Sequence, residues 1–398
     1  MKAKRSNWII CAVMVVVCAA LLMIPERHLN QTSLIPRERV RIDAVDNSAL
    51  YPLGIVYSGV QICEVTVLSG DQAGQTALAS NYLNTALDKD KLFAAGDVAY
   101  AMVQPRETAL VVTLIDHYRA DTQLWIFIAL AFLLMVVGGV IGVGTLISLG
   151  ASGIIIWKLL IPLLLDLVDP IIASFVTVLV LTVLIDLLVA GFTRRCAVAL
   201  LGSLAGTLTT FVLALFLTDV LKLDGGDIPY VVPLLSQSAM MVDTRALFIG
   251  MMFIANSGAL MDLSIDIAVS CEELRRHCPG ISRVEMLRSA LVVGRGVLGT
   301  MATTLLLAYS GNYLSMLMYF AGQGTPLLDV INLKYVSSQL LTTLVGSFGL
   351  VAVAPFTAVF AALIFSKRGR LSKGIAREEA AGSDSITASQ AGSMQSLQ

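Results

Sequence analysis

Four of the charged residues within long apolar runs of the 398-residue chain are candidates for a site. Asp262 and Asp266 share one run, Arg295 lies in the next, and Asp186 lies near the end of an earlier one. A charged side chain at the centre of a membrane helix costs roughly 2.5 to 3.5 kcal/mol on insertion scales, so each needs a partner or a function. Charged groups at such depth mark ion pathways and proton relays in membrane proteins.

Spacing places three of these charges at similar depth. Asp262 and Asp266 are four residues apart and therefore share a helix face. With a rise of ~1.5 Å per residue, Asp262 lies about 12 Å and Arg295 about 9 Å from the cytoplasmic ends of consecutive helices. Two interpretations stay open. The three residues bind or relay an ion, with Asp186 as a fourth member, or they form a structural ion pair that joins two helices.

The other reactive residue types predict neither an enzyme nor a metal site. His28, His117 and His277 lie in different segments, and the sequence has no GxSxG, HExxH or GxxxxGK[ST] motif. Cys271, His277 and Cys278 lack the paired spacing of a structural zinc site. We therefore expect no enzymatic activity, no cofactor and no bound metal.

Composition predicts a protein that is solvated by lipid. Hydrophobic residues make up 57% of the chain and charged residues only 14%, which is more apolar surface than a soluble core of this size hides. The net charge of -1 supplies no basic surface for nucleic acid. The expected partner is therefore the lipid bilayer, and nucleic acid is not expected to bind.

Two segments precede the main apolar region. Residues 1–24 begin with the basic MKAKR and continue as an apolar run, which predicts a transmembrane anchor with a cytoplasmic N-terminus. Residues 25–123 contain about five short β-branched runs separated by turn residues, including RVRIDAV, DVAYAMV and TALVVTLI. Strands of this length predict a small barrel of SH3-like or OB-like size outside the cytoplasm.

The region 124–365 predicts a multispan helical domain, so the fold class is a mainly α-helical integral membrane protein with about eight transmembrane helices. With the anchor, the seven further spans put every basic cluster inside and both termini in the cytoplasm. These spans are predicted at 124–140, 145–167, 171–191, 197–217, 246–270, 291–309 and 340–365.

One segment does not fit the span count. The apolar stretch 314–321 is too short to cross and is followed by Gln323 and Pro326. We predict a hairpin over 313–338 that is either re-entrant, which would make it a pathway element, or interfacial. Beyond it, residues 366–398 are rich in Gly, Ser, Ala and charge and predict a disordered cytoplasmic tail.

Three motifs in the apolar region have a recognisable pattern. They are FIGMMFIANSGALMDLSIDIA at 248–268, VVGRGVLGTMATTLLLAYSG at 292–311 and VGSFGLVAVAPFTA at 345–358. With VTVLSGDQAGQ, GDVA and DHYR in the β-rich region, they make nearly the whole chain resemble the YibE/F-like family of bacterial multipass membrane proteins. The resemblance implies an anchor, a small β domain and a multispan bundle, and it implies no known reaction.

The chain departs from the family pattern at three positions. An acidic residue is common in the family where this chain has Gly296, an asparagine where it has Thr303, and a glutamate where it has Gln339. The resemblance thus leaves Asp262 and Arg295 as the matching charged pair.

Two functions are consistent with these features. The first is a secondary transporter or channel for a small solute or ion, with a path built from the sixth, seventh and last spans and the hairpin. The second is a non-transporting scaffold or sensor whose β domain binds a partner. A second copy of the chain and a component of the cell envelope are the candidate protein partners.

Overall fold

The structure is a computed structural model that describes residues 2–23, 35–105, 110–166, 168–237, 242–311 and 313–366. It divides into two compact units. One comprises Pro25–Gly142, and the other comprises Met1–Ile24 together with Val143–Gln398. The predicted boundaries at residues 24, 123 and 365 stay predictions.

The smaller unit contains a β-barrel, which confirms the predicted closure. Six strands have the order β1-β5-β6-β4-β3-β2, and pairing of β1 with β3 closes five of them into a barrel. All pairings are antiparallel except the short β4–β6 contact. The strands are β1 (Arg37–Asp46), β2 (Leu50–Leu53), β3 (Val56–Val67), β4 (Thr76–Asn84), β5 (Val98–Pro105) and β6 (Leu110–His117).

Alternating apolar residues fill the barrel. On β3, Cys63, Val65 and Val67 are buried at every second position, as expected for a strand with one face toward a core. The buried amide of Gln61 continues this row and binds the segment between β4 and β5: it donates to the carbonyl of Phe93 and accepts from the backbone N–H of that residue. Because this amide is satisfied on both sides, it anchors a loop without an energetic penalty.

Seven helices are long and apolar enough to cross a membrane by length and composition. They match the seven spans predicted after the anchor. These helices are α2 (Ala120–Gly139), α3 (Ile141–Leu165), α4 (Pro170–Ala190), α5 (Arg194–Val220), α7 (Thr244–His277), α8 (Arg283–Gly311) and α11 (Lys334–Phe365).

The predicted eighth span differs from the others. It corresponds to helix α1 (Lys2–Leu22), in which the apolar stretch Cys11–Leu22 is shorter than 18 residues. Seven helices of the described part of the chain therefore meet the length and hydropathy that crossing requires, and the prediction that α1 is an eighth span stays a prediction.

Helices α5, α7 and α11 form the centre of the larger unit, with α4 and α8 packed beside them. Glycines allow the close approach, because a Cβ at Gly206 would lie 1.9 Å from Val353 and one at Gly346 would lie 2.3 Å from Asn256. Small residues have this use in membranes, where lipid gives no hydrophobic drive for helix association. The tight contact brings polar groups of neighbouring helices together.

The predicted hairpin consists of two short helices, α9 (Leu314–Gly322) and α10 (Leu327–Asn332). Gln323 ends α9, Pro326 precedes α10, and both side chains are exposed within this unit. Non-helical backbone at membrane depth requires a shield of protein or a water-filled cavity. The exposure of this linker thus favours the interfacial alternative over the re-entrant one. A further short helix, α6 (Val231–Gln237), lies between α5 and α7.

We predict that Gly206→Ala destabilises the bundle by about 1–3 kcal/mol, because the added methyl would overlap the Val353 side chain. Gly153→Ala is the matched control, since a Cβ at Gly153 of α3 meets no atom within 4 Å. Thermal unfolding of both variants in detergent measures the difference. Equal unfolding midpoints would contradict the packing described for α5 and α11.

Candidate functional site

Helices α4 and α7 run in the same direction, so the difference in residue number between facing residues stays the same along the pair. A Cβ at Gly250 of α7 would lie 2.3 Å from the Ser174 hydroxyl of α4. Twelve residues further along each helix, at about 18 Å, come Asp262 and Asp186. The two carboxyl groups are close enough to interact electrostatically, as the equal offset requires.

The Asp186 carboxyl group is enclosed by the bundle. Its side chain is 0% exposed, and its Oδ2 atom accepts one long hydrogen bond of 3.5 Å from the Ser203 hydroxyl of α5. The Oδ1 atom has no hydrogen-bond partner, and among the described residues no Lys or Arg forms an ion pair with it. A buried carboxylate is costly without compensation, so this group requires a bound proton or a small cation.

Asp262 lies at the boundary between this enclosed site and an open helix face. Exposed residues recur on α7 at spacings of three and four, which marks one stripe of the helix surface. Asp262 thus connects the enclosed carboxyl of Asp186 with the outer surface of its unit. The stripe consists of Met251, Ala255, Gly258, Asp262, Asp266, Val269 and Glu273.

Arg295 is not joined to these aspartates. Gly294 of α8 packs where α7 and α11 meet, since its Cβ would lie 3.0 Å from the Ala354 Cβ of α11 and 3.3 Å from the Ile267 Cδ1 of α7. Asp266 and Arg295 are the neighbours of Ile267 and Gly294, so they lie at the same level. Neither forms an ion pair within 4.0 Å in the part of the chain that the structure describes. The structure therefore brings Asp186 and Asp262 together and keeps Arg295 apart.

A second group of buried polar side chains lies nearer the start of α7. Asn256 is 0% exposed, donates to the Thr342 carbonyl of α11 at 3.2 Å and accepts from the Tyr309 hydroxyl of α8 at 3.1 Å. Asn256 precedes Asp262 by six residues, or about 9 Å. These hydrogen bonds link three helices at a level close to the carboxyl pair.

A cavity opens beside this polar group. It has a volume of about 80 Å³, is partly open, and lies between α8, α9 and α11. Tyr309, Met316 and Gln339 are among its lining residues, and the surface that they expose to the cavity is apolar. The predicted hairpin residues Gln323 and Pro326 are not among the residues that line it.

Sequence reasoning missed Ser203, Thr207, Asn256 and Tyr309. The hydroxyl of Thr207 is buried with no partner in the described structure, one turn from Ser203 on the same face of α5. The hydroxyl residues at 203, 207 and 210 recur at spacings of four and three in an otherwise apolar helix. That periodicity was the signal that could have located this face.

The comparison with protein families matches the YibE/F-like protein family over residues 126–367, more than half of the chain. The chain belongs to the YibE/F-like family. This confirms the resemblance, and together with the seven apolar helices it indicates a multi-pass membrane protein. The carboxyl pair, Arg295 and the cavity all lie within the matched region of this YibE/F-like protein, whereas the β-barrel lies outside it. No curated protein and no solved structure shows a significant match.

We predict that Tyr309→Phe destabilises the protein by about 0.5–2 kcal/mol, because Asn256 Oδ1 loses its donor inside the bundle. Tyr319→Phe is the control, since Tyr319 is 60% exposed and its hydroxyl forms no described hydrogen bond. Thermal unfolding in detergent measures both. A Tyr309→Phe variant as stable as the control would show that the Tyr309–Asn256 hydrogen bond does not stabilise the bundle.

Proposed function

We propose that this YibE/F-like protein is a secondary transporter or channel that moves a small solute or ion across the bacterial cell membrane. Asp186 and Asp262 hold the coupling cation, which is a proton or another small monovalent ion. The observation that supports this most directly is the Asp186 carboxyl, which is fully buried and has no cationic partner among the described residues. The proposal is for transport and not for catalysis.

The energetic argument favours an exchangeable cation over a purely structural role. A buried ion pair that only joins two helices needs both signs, and here the neighbour of Asp186 is a second carboxyl group. Two carboxyl groups at one depth repel each other when both are charged, so a bound cation stabilises the pair. Asp262 lies on the exposed stripe of α7, so the carboxyl pair is not sealed within the bundle on that side.

The cavity between α8, α9 and α11 is the candidate solute site. It holds about 80 Å³, which limits it to a small solute, and Tyr309 and Gln339 are among its lining residues. Tyr309 binds Asn256 of α7, and Asp262 follows on the same helix. Occupation of the cavity and of the carboxyl pair therefore acts on one helix, as coupling of solute to ion requires.

We predict that purified protein in liposomes moves protons or sodium ions, and that Asp186→Asn lowers this flux at least about tenfold by removing the exchangeable charge. Entrapped pH- and sodium-sensitive dyes measure the flux, in parallel with a screen for solute uptake under each gradient. Asp329→Asn is the control, because Asp329 is an exposed acid of α10.

Two results would contradict the proposal. Wild-type protein that moves neither cation and accumulates no solute under either gradient would overturn transport itself. Full flux in folded Asp186→Asn protein would overturn the role of the carboxyl pair.

We further propose that both termini and the α7–α8 connection are cytoplasmic. Arg275 and Arg276 end α7 and Arg283 begins α8, which is the arrangement of a cytoplasmic loop. The same orientation places the β-barrel outside the cytoplasm. Cys278, the exposed cysteine among those described, lies in this connection and reports its side.

We predict that a membrane-impermeant maleimide labels Cys278 in inside-out vesicles and not in intact cells. Cys63 of the barrel remains unlabelled in both until the protein is unfolded, because it is buried and burial raises the pKa of its thiol to about 11. Mass spectrometry of the labelled peptides distinguishes the two sites. Labelling of Cys278 in intact cells would reverse the proposed orientation.

One observation favours the alternative of a scaffold or sensor. The hairpin of β2 and β3 exposes large apolar side chains, with Ile55 82% and Tyr51 69% exposed. Such patches mark partner or membrane contacts on soluble domains. If Ile55→Ser with Tyr51→Ser abolishes a cross-link to an envelope component while cation flux is absent from the wild type, the scaffold function replaces transport.

A further inference from the structure

The α7–α8 seam carries two opposite charges on opposite sides. The helices are antiparallel, and each residue turns the side-chain direction by about 100°. Ile267 and Gly294 meet across the seam. Asp266 precedes the first and Arg295 follows the second, so in antiparallel helices they point to opposite flanks. Both are exposed, and neither has an ion-pair partner among the described residues.

These charges lie within the apolar parts of their helices. Asp266 is eleven residues from the end of α7 and Arg295 twelve residues from the start of α8, or about 16 and 18 Å. A charge facing lipid at this depth is strongly unfavourable, and here two of opposite sign occur at one level. Each is therefore the complement that the other lacks.

Glycines mark the same two faces. Within α7 and α8, Gly250 and Gly294 contact neighbouring helices, whereas a Cβ at Gly258, Gly296 or Gly299 would meet no atom within 4 Å. Glycine lowers helix stability relative to alanine, and packing inside this chain does not account for these three. They leave room for the close approach of another helix.

We propose that copies of this chain associate head to tail in the membrane, with Asp266 of one copy paired with Arg295 of the next. Rotation about the membrane normal keeps every residue at its depth, so charges that are level in one chain remain level between chains. Because the two faces are different surfaces on opposite flanks, the contact is heterologous, and it forms a ring where the rotation between copies closes a full turn. This proposed association does not depend on the proposed transport function. The only partner on the two faces is a second copy of the chain.

Cysteines beside the charges test the pairing and leave the charges in place. Val269 and Val292 are exposed and lie three residues from Asp266 and Arg295, respectively. In the antiparallel pair both are displaced toward the α7–α8 connection. Full-length Val269→Cys and Val292→Cys proteins with different tags are co-expressed in a Cys278→Ser background and oxidised in membranes. The mixed disulfide is expected to form, whereas Leu208→Cys on α5, 53% exposed, forms none with either.

Charge exchange tests the interaction itself. Asp266→Arg and Arg295→Asp are each expected to lower the association constant in liposomes at least about tenfold, measured by energy transfer between labelled copies. The double variant Asp266→Arg/Arg295→Asp restores it, because the two charges have only changed places. Folded yield by size-exclusion chromatography accompanies each variant.

Several results would overturn the proposal. One is a mixed disulfide that is no more abundant than in the Leu208→Cys control. Another is Val269→Cys copies that form disulfides only with each other. A third is an association constant that neither single charge reversal changes. Failure of the double variant to restore association would also overturn it when its yield equals that of the wild type.

Discussion

Close contact of α11 with α5 and α7 sets the register of the three helices at the centre of the larger unit. The contact is made through glycines, with Gly202 against Thr357, Gly206 against Val353 and Gly346 against Asn256. Two helices that approach at such points cannot slide or rotate without overlap, because a glycine accepts a bulky neighbour only at its own position. The register of three helices is therefore fixed by van der Waals contact and not by the polar groups that it brings together.

The polar geometry follows from the register of α7 with its other neighbours, α4 and α8. The parallel pair α4 and α7, with its constant offset, places one carboxyl opposite another and generates an enclosed acidic site. The antiparallel pair α7 and α8, with Ile267 against Gly294, turns Asp266 and Arg295 away from each other. The charged side chains of these helices therefore have different surroundings, although they lie at similar depth. Whether the side chains next to a contact between two helices point toward each other or apart depends on the relative direction of the two helices.

Hydropathy and spacing predicted much of the fold. The seven spans after the anchor were predictable because an apolar helix in lipid needs about 20 residues and leaves little choice of structure. The barrel was predictable from short β-branched runs and turn residues. Helix length was less certain: α7 continues to His277, beyond the predicted end at residue 270, because charged residues extend a helix past the apolar core.

The candidate site was less predictable. Asp262 and Asp266 stood out because charge is rare in apolar runs, and their shared face follows from helix geometry alone. The burial of Asp186 depends on the α4–α7 register, which the sequence of neither helix contains. The roles of Ser203 and Asn256 were also not predictable, since a serine or asparagine in a span is compatible with local capping, packing or a site until its neighbours are known.

The separation of Asp186 from Arg295 gives the charges of the bundle two physical settings. Asp186 lies where no neighbouring chain can reach it, so only a proton or small cation can neutralise it. Arg295 is exposed and pairs with no described residue of its own chain. A large complementary surface can therefore reach it and pair with it. A single internal salt bridge would have neutralised an aspartate and the arginine together, and it would have left neither an exchangeable carboxyl nor an open charged face. The helix directions prevent that bridge, and both properties follow from this one constraint.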